Sequence, residues 1–238
     1  LTLVRKGDDE AIFRAAAASG GVPPGVVTLT EVNWVMPRIF PSETYKYKLY
    51  KTVESKALIN VGFRMRQCDT ISLPQSTSFT WRLSVRSAPE RPRFVLIGLQ
   101  TAKYGNQEEN SALFDHCNVK NMHVVLNSDR YPVDDYNANF TMQRVARFYK
   151  DAADFIPKYS GVFNAQCNID PQQYITLYPL FVFDVSKQSE RLKTGIVDVT
   201  VKMEFTENVK VATQAYAVVI CDRILKFQGD GSRMNVII

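Results

Sequence analysis

Histidine is scarce in this sequence: only His116 and His123 occur among 238 residues. A protein metal site normally takes three or four ligands at set spacings, and these two side chains with Cys117 offer too few candidates. The sequence also lacks a G-x-S-x-G nucleophile motif, and Gly229-Asp230-Gly231 is a turn signal and not a phosphate-binding loop. We therefore expect no catalytic residue, no metal and no cofactor.

Long apolar runs and clustered cysteines are lacking too. No stretch approaches the ~18 apolar residues that would indicate a membrane span. Leu1–Gly20 carries Asp8, Asp9 and Glu10 where a signal peptide would need an uninterrupted apolar stretch. The four cysteines lie far apart, too sparse for a disulfide framework. We expect a protein that is not secreted, with buried free thiols, made in a reducing compartment such as the cytoplasm or nucleus.

The charge balance is mildly basic, with 29 Lys and Arg against 24 Asp and Glu. No long run of basic residues indicates a nucleic-acid-binding tail. The candidates for a nucleic-acid-facing surface are arginines on the polar faces of two predicted strands: Arg64, Arg66, Arg82 and Arg86. A solvated sheet face or a subunit contact would use the same residues, so the charge predicts at most weak, non-specific contact with nucleic acid.

Alternation of apolar and polar residues with period two is the dominant pattern. It predicts half-buried strands over Ile59–Met65, Phe79–Val85 and Val197–Phe205. Continuous apolar runs predict strands buried on both faces over Phe94–Leu99 and Leu180–Val185. Weaker candidates are Val26–Val35, Val119–Leu126 and Ala215–Leu225. Uneven, long gaps favour crossing connections between two sheets, so we expect an all-β jelly-roll sandwich of about eight antiparallel strands.

Helix is predicted only in short pieces within long loops. Pro41–Ser55 and Gln143–Phe155 place apolar residues on one helical face, and Ala11–Ala18 is a third, weaker candidate. The Gly20–Gly25 stretch reads as a linker. We therefore expect an N-terminal segment over residues 1–25 and a jelly-roll domain over residues 26–238. Asn127–Pro171 lacks clear strand pattern and is too long for an ordinary loop, which indicates a functional insertion.

An ordered set of short motifs gives the sequence a family resemblance. The set comprises Asn33-Trp34-Val35-Met36-Pro37, Phe63-Arg64-Met65-Arg66, Leu73-Pro74-Gln75-Ser76-Thr77, Arg91-Pro92-Arg93-Phe94-Val95, Gln100-Thr101, Phe114-Asp115-His116-Cys117, Leu126-Asn127-Ser128-Asp129-Arg130-Tyr131-Pro132 and Val185-Ser186-Lys187-Gln188-Ser189-Glu190-Arg191-Leu192-Lys193. Together they resemble the C-terminal jelly roll of double jelly-roll major capsid proteins, in the form found in Polinton (Maverick) and adintovirus-like elements. The resemblance covers roughly Thr28 to Ile238.

The resemblance implies a capsid subunit. In that family each subunit has two jelly rolls, and three subunits form a pseudo-hexagonal capsomer. This chain has room for one full jelly roll, so Leu1–Arg5 is expected to be the tail of a preceding one. The resemblance therefore implies a virion protein that associates with itself and with other capsid subunits.

The long insertion is the expected place for contact with a neighbouring subunit. Its aromatic residues are of the types favoured as interface anchors: Tyr131, Tyr136, Phe140, Phe148 and Tyr149. The alternative is that these rings pack onto their own domain. The rival function is a stand-alone binding module such as a lectin-like jelly roll. An enzyme of the cupin type is a distant third, because it needs a multi-histidine metal site.

Overall fold

Nine strands provide most of the regular structure in the computed structural model, which describes residues 3–14, 23–84, 91–162, 164–188, 197–230 and 234–237. The strands are β1 (Ile59–Ser72), β2 (Ser78–Arg82), β3 (Arg91–Thr101), β4 (Val119–Leu126), β5 (Asp129–Tyr131), β6 (Phe181–Asp184), β7 (Val199–Phe205), β8 (Thr213–Gly229) and β9 (Met234–Ile237). The helices are α1 (Asp8–Ala11), α2 (Glu43–Glu54), α3 (Ala146–Ser160) and α4 (Pro171–Thr176).

The strands form two sheets with crossing connections. One sheet has the order β1-β8-β3-β6, with β9 also paired to β8, and the other has the order β2-β7-β4-β5. The registered pairs are antiparallel. Neighbours in each sheet are mostly non-consecutive in sequence, which is the signature of a jelly roll rather than a meander. The predicted all-β jelly-roll sandwich is therefore confirmed.

The chain divides into two units. Unit 1 comprises Leu1–Val27 and Arg66–Cys221, and unit 2 comprises Thr28–Met65 and Asp222–Ile238. The main hydrophobic core lies in unit 1. Along each strand, the alternation of side-chain direction decides which residues enter this core. Val201 of β7 pairs with Val124 of β4, and Met203 pairs with Met122; all four side chains are buried. The alternate residues of β7 point away from this core: Thr200, Lys202 and Glu204.

β3 and β6 are buried on both faces, as their continuous apolar sequence predicts. On the face away from the core, Phe155 of α3 meets Phe94 edge-on with ring centroids 5.2 Å apart. Further along the same face, the ring of Phe114 covers Gly98. A Cβ at Gly98 would lie 2.4 Å from that ring, so only glycine fits there. α3 also packs on β6, the last strand of its sheet, which protects that edge from unwanted pairing.

Unit 2 contains α2 and a β-hairpin in which β8 pairs with β9 from Lys226↔Ile237 to Gly229↔Met234. A Cβ on Gly229 would lie 2.6 Å from Val53 Cγ1, so glycine lets α2 and the hairpin approach closely. The Gln228 side-chain amide also donates to the Lys56 carbonyl oxygen at 2.8 Å. No residue of α2 is buried.

Two local predictions differ from the structure. The strand predicted over Val26–Val35 is wrong, because these residues have no strand pairing and Val26, Val32 and Val35 are exposed. Their composition favours an extended backbone, but no strand among the described residues pairs with them. A four-residue helix occupies Asp8–Ala11, whereas most of the helix predicted over Ala11–Ala18 lies outside the described residues. The helices predicted over Pro41–Ser55 and Gln143–Phe155 are confirmed with shifted ends.

Candidate subunit interface

Within unit 1, a cluster of aromatic rings packs the segment 127–171 against the sheets. Tyr136 and Phe148 stack with centroids 3.8 Å apart, and Phe148 meets Phe181 of β6 edge-on at 4.9 Å. Phe140 stacks in parallel on the His116 imidazole at 4.4 Å. Offset stacks and edge-to-face pairs are the arrangements that aromatic quadrupoles favour. The cluster therefore fixes the segment in one position against the sheet.

Hydrogen bonds complete this attachment. The Tyr136 hydroxyl donates to Asp151 Oδ2 at 2.6 Å, and the Arg147 guanidinium lies 5.0 Å over the Tyr136 ring. Burial, reinforced by the Asp151 carboxylate, raises the pKa of Tyr136 well above its usual value, so this hydroxyl stays a donor. The Tyr149 hydroxyl likewise donates to the Ile169 carbonyl oxygen at 2.9 Å.

The five aromatic interface candidates are not equally accessible. Tyr136, Phe140 and Phe148 are buried in the core of unit 1, whereas Tyr131 and Tyr149 are partly buried and pack against it. Their rings contact this chain's own side chains, so any anchoring of a neighbour would fall to the partly exposed pair. Among the described residues of the segment, the exposed large apolar side chains are Val133, Met142, Val162 and Ile156, with Val133 and Met142 the most exposed at 79% and 63%.

The candidate arginines do not share one sheet. Arg66 of β1 donates to the Tyr159 hydroxyl at 2.5 Å, while Arg82 of β2 forms an ion pair with Asp198 at 2.8 Å in the other sheet. Arg64 belongs to unit 2, where its Nε lies 4.0 Å from Asp222 Oδ1. Arg86 lies outside the described residues. Contact with nucleic acid stays a prediction.

Unit 1 also has a cleft of about 550 Å³ lined by Lys103, Asp115, His116, Cys117 and Lys210, among others. Lys103 Nζ is buried and donates to Asp115 Oδ1 at 2.9 Å. Burial raises the pKa of the Cys117 thiol to about 11, which disfavours the reactive thiolate at neutral pH. Burial also lowers the pKa of His116, whose Nδ1 accepts the Asn118 backbone N–H at 3.0 Å. The cleft therefore presents a protonated Cys117 thiol and a neutral His116 imidazole at neutral pH.

Sequence reasoning missed the exposed apolar surface of unit 2. Most of the exposed large apolar side chains that the structure describes lie in this smaller unit. Trp34 is 67% exposed and Phe40 is 87% exposed. Contiguous exposed apolar surface is characteristic of interaction sites. Its sequence signal was the run of aromatic and aliphatic residues over 29–50.

Two antiparallel sheets with crossing connections and an apolar core define a jelly-roll β-sandwich protein. Comparison with known proteins then identifies the family. The double jelly roll-like domain family matches residues 1–225. Because this match covers nearly the whole sequence, the chain belongs to the double jelly roll-like domain family. No curated protein matches the sequence. Among the described residues, no helix has the length and apolar character needed to cross a membrane.

Proposed function

We propose that the chain is a structural capsid protein that self-associates into capsomers and a virus-like shell. The observation that carries the proposal is the match to the double jelly roll-like domain family over residues 1–225, on a sandwich with a filled core. The motif resemblance to Polinton and adintovirus-like capsid proteins supports trimeric capsomers as the unit of assembly. It also supports the extent proposed for the jelly roll, residues 26–238 with an insertion at 127–171 and a preceding tail in residues 1–25.

The physical properties of unit 1 support a building-block role. A shell subunit needs a rigid body and protected sheet edges, and α3 covers the β6 edge through buried rings. Assembly contacts are repeated around the shell, so each can be weak while the whole is stable. In this proposal the buried Tyr136, Phe140 and Phe148 hold the 127–171 segment in shape. Its exposed Val133 and Met142, with Tyr131 and Tyr149, meet a neighbouring subunit.

The proposed location is the virion, after synthesis in a reducing intracellular compartment. The four cysteines are free thiols, which supports folding without oxidation. The expected burial holds for Cys221 but is wrong for Cys68, which is exposed, and Cys117 and Cys167 are partly buried. Weak, non-specific contact with packaged nucleic acid through basic side chains is a secondary part of the proposal. We assign no catalytic role; in the cleft, Lys103 and Asp115 satisfy each other in an internal ion pair.

Electron microscopy of the purified protein tests this function. The expected result is trimeric capsomers or closed shells at high protein concentration. A longer form that carries a second jelly-roll domain should be imaged as well, because the resemblance implies subunits built from two jelly rolls. Isolated particles of single-subunit size from both forms would overturn the capsid proposal.

A stand-alone binding module is the second candidate, and the cleft of unit 1 favours it. A lectin-like site combines aromatic and carboxylate groups, and Phe114, Glu109 and Glu207 all line this cleft. A glycan array would test this candidate. Saturable binding by a monomer, lost in Glu207→Gln, would support the module, whereas the absence of any glycan signal would count against it.

A further inference from the structure

Unit 2 has two stretches of backbone whose hydrogen-bonding groups lack a pairing strand among the described residues. The first is the arm, defined as residues 28–41, which has neither helix nor strand. Among the described residues, no backbone hydrogen bond joins the arm to any other residue. The second is the outer edge of β9, since β8 is the only described strand that pairs with it. Both elements therefore offer free backbone N–H and C=O groups of the kind that strand pairing satisfies.

The side chains of both elements also lack cover. All four residues of β9 are exposed, and the strand carries no charge and no proline. In the arm, Trp34, Val35 and Phe40 are 67%, 87% and 87% exposed. Natural sheets usually protect an edge with charge, proline or a covering element, and β9 has none of these among the described residues. Such an edge is a template for an added strand.

We propose that the arm of one copy adds as a strand along the β9 edge of a second copy. This inference rests on the proposed self-association and names the surface that carries it. Each chain supplies one arm and one edge, so the contact is head-to-tail and can close into a ring such as a trimer. Pairing is confined to the part of the arm before Pro37, because proline cannot donate to a strand ladder.

Exposed apolar side chains in and beside the arm enlarge the proposed contact. The rings of Trp34, Phe40, Tyr45 and Tyr50 are each about two-thirds exposed or more. With ~150–250 Å² per aromatic side chain, these four present on the order of 500 Å². Of these residues only Trp34, together with the exposed Val35, lies in the part of the arm before Pro37. Ile39 and Phe40 and the two tyrosines of α2 add exposed apolar area beside the paired strand.

A protein partner fits this surface better than nucleic acid or lipid does. Neither nucleic acid nor a lipid surface supplies the regular row of amides and carbonyls that the arm and β9 lack. The lysines of α2 are also engaged: Lys46 forms an ion pair with Glu43 at 2.6 Å, and Lys51 lies 4.7 Å over the Tyr47 ring. The uncharged β9 residues let two copies meet without like-charge repulsion.

Sedimentation velocity with lysine substitutions tests the inference. Val35→Lys blocks the arm and Val236→Lys blocks the edge, and both side chains are exposed, so each variant should keep the wild-type circular dichroism spectrum. Each variant alone should associate at least tenfold more weakly than the wild type. Val211→Lys is the matched control, since Val211 is 67% exposed in unit 1, and it should associate within twofold of the wild type.

Mixing the two variants separates this geometry from a general apolar contact. The Val236→Lys chain keeps an intact arm and the Val35→Lys chain keeps an intact edge, so the mixture should form heterodimers that grow no further. An associating wild type with unaffected variants, or a mixture no larger than its components, would overturn the arm–edge contact alone. A monomeric wild type would overturn the arm–edge contact as well, whereas the capsid proposal fails only if the longer form is also monomeric. A monomer that co-sediments with a dT oligonucleotide or anionic vesicles would assign the surface to that ligand instead.

Discussion

The stability of unit 1 should depend strongly on one ring of the 127–171 segment. Phe148 is 1% exposed, stacks on Tyr136 at 3.8 Å and meets Phe181 edge-on at 4.9 Å. Phe148→Ala removes both contacts and leaves a cavity between α3 and the sheet. Buried Phe→Ala changes cost about 3–5 kcal/mol, and we expect a loss of about 4 kcal/mol in the free energy of unfolding.

The two tryptophans allow unit 1 to be followed by itself. Trp81 is buried in unit 1, whereas Trp34 is exposed in unit 2. In a Trp34→Phe background, urea denaturation followed by tryptophan fluorescence therefore reports the unfolding of unit 1. Phe13→Ala is the matched control, because Phe13 is 59% exposed in the same unit, and it should change stability by less than about 0.5 kcal/mol.

A double-mutant cycle tests the stacking itself. Combining Phe148→Ala with Tyr136→Leu should give a coupling energy of about 0.5–1.5 kcal/mol, the range of aromatic pairs beyond their buried area. A Phe148→Ala cost below about 1 kcal/mol, close to that of the Phe13 control, would refute the conclusion that buried rings fix the segment to the sheet.

Three further predictions concern buried or capping groups. Because burial raises the pKa of Cys117 from 9.0 to about 11, the thiol ionises more easily in the unfolded chain, and the free energy of unfolding should fall by about 2 kcal/mol as pH rises from 9 to 11. Urea titrations at several pH values should show less of this fall in Cys117→Ala. Lys103→Ala leaves the Asp115 carboxylate without its 2.9 Å partner and should cost about 2–3 kcal/mol by the same titration at pH 7, whereas no loss would contradict a structural ion pair. Asp170→Ala removes the capping box of α4 and should cost about 1 kcal/mol, with Asp170→Asn retaining most of the stability.

Sequence periodicity predicted the strands that pair with a neighbour along both edges or that have one solvent-exposed face. β4 matches its predicted limits, Val119–Leu126, because its buried and exposed residues alternate against β7. β1 and β8 extend beyond their predictions to Ser72 and Gly229, where polar residues interrupt the pattern but strand pairing continues. β9 has only four residues, too few to show a period.

The direction of side chains in the 127–171 segment could not be predicted from the sequence. Its aromatic content was visible, but whether Phe148 faces the sheet depends on the rotation of α3 against β6, which tertiary packing decides. In the arm, by contrast, the sequence predicts a strand that the structure does not have. Residues 26–35 have strand-like composition, yet a strand exists only where a second backbone pairs with it, and no described part of this chain does so.

The solution mass of the protein tests the central claim most directly. Light scattering over a concentration series should show a rise from the 27.0 kDa subunit towards three times that mass, or larger particles, as the concentration increases. The rise should persist at high ionic strength, because the exposed surface that carries it is mainly apolar. A mass that stays at 27.0 kDa for this chain up to the highest attainable concentration, with the longer two-jelly-roll form monomeric as well, would contradict the capsid account.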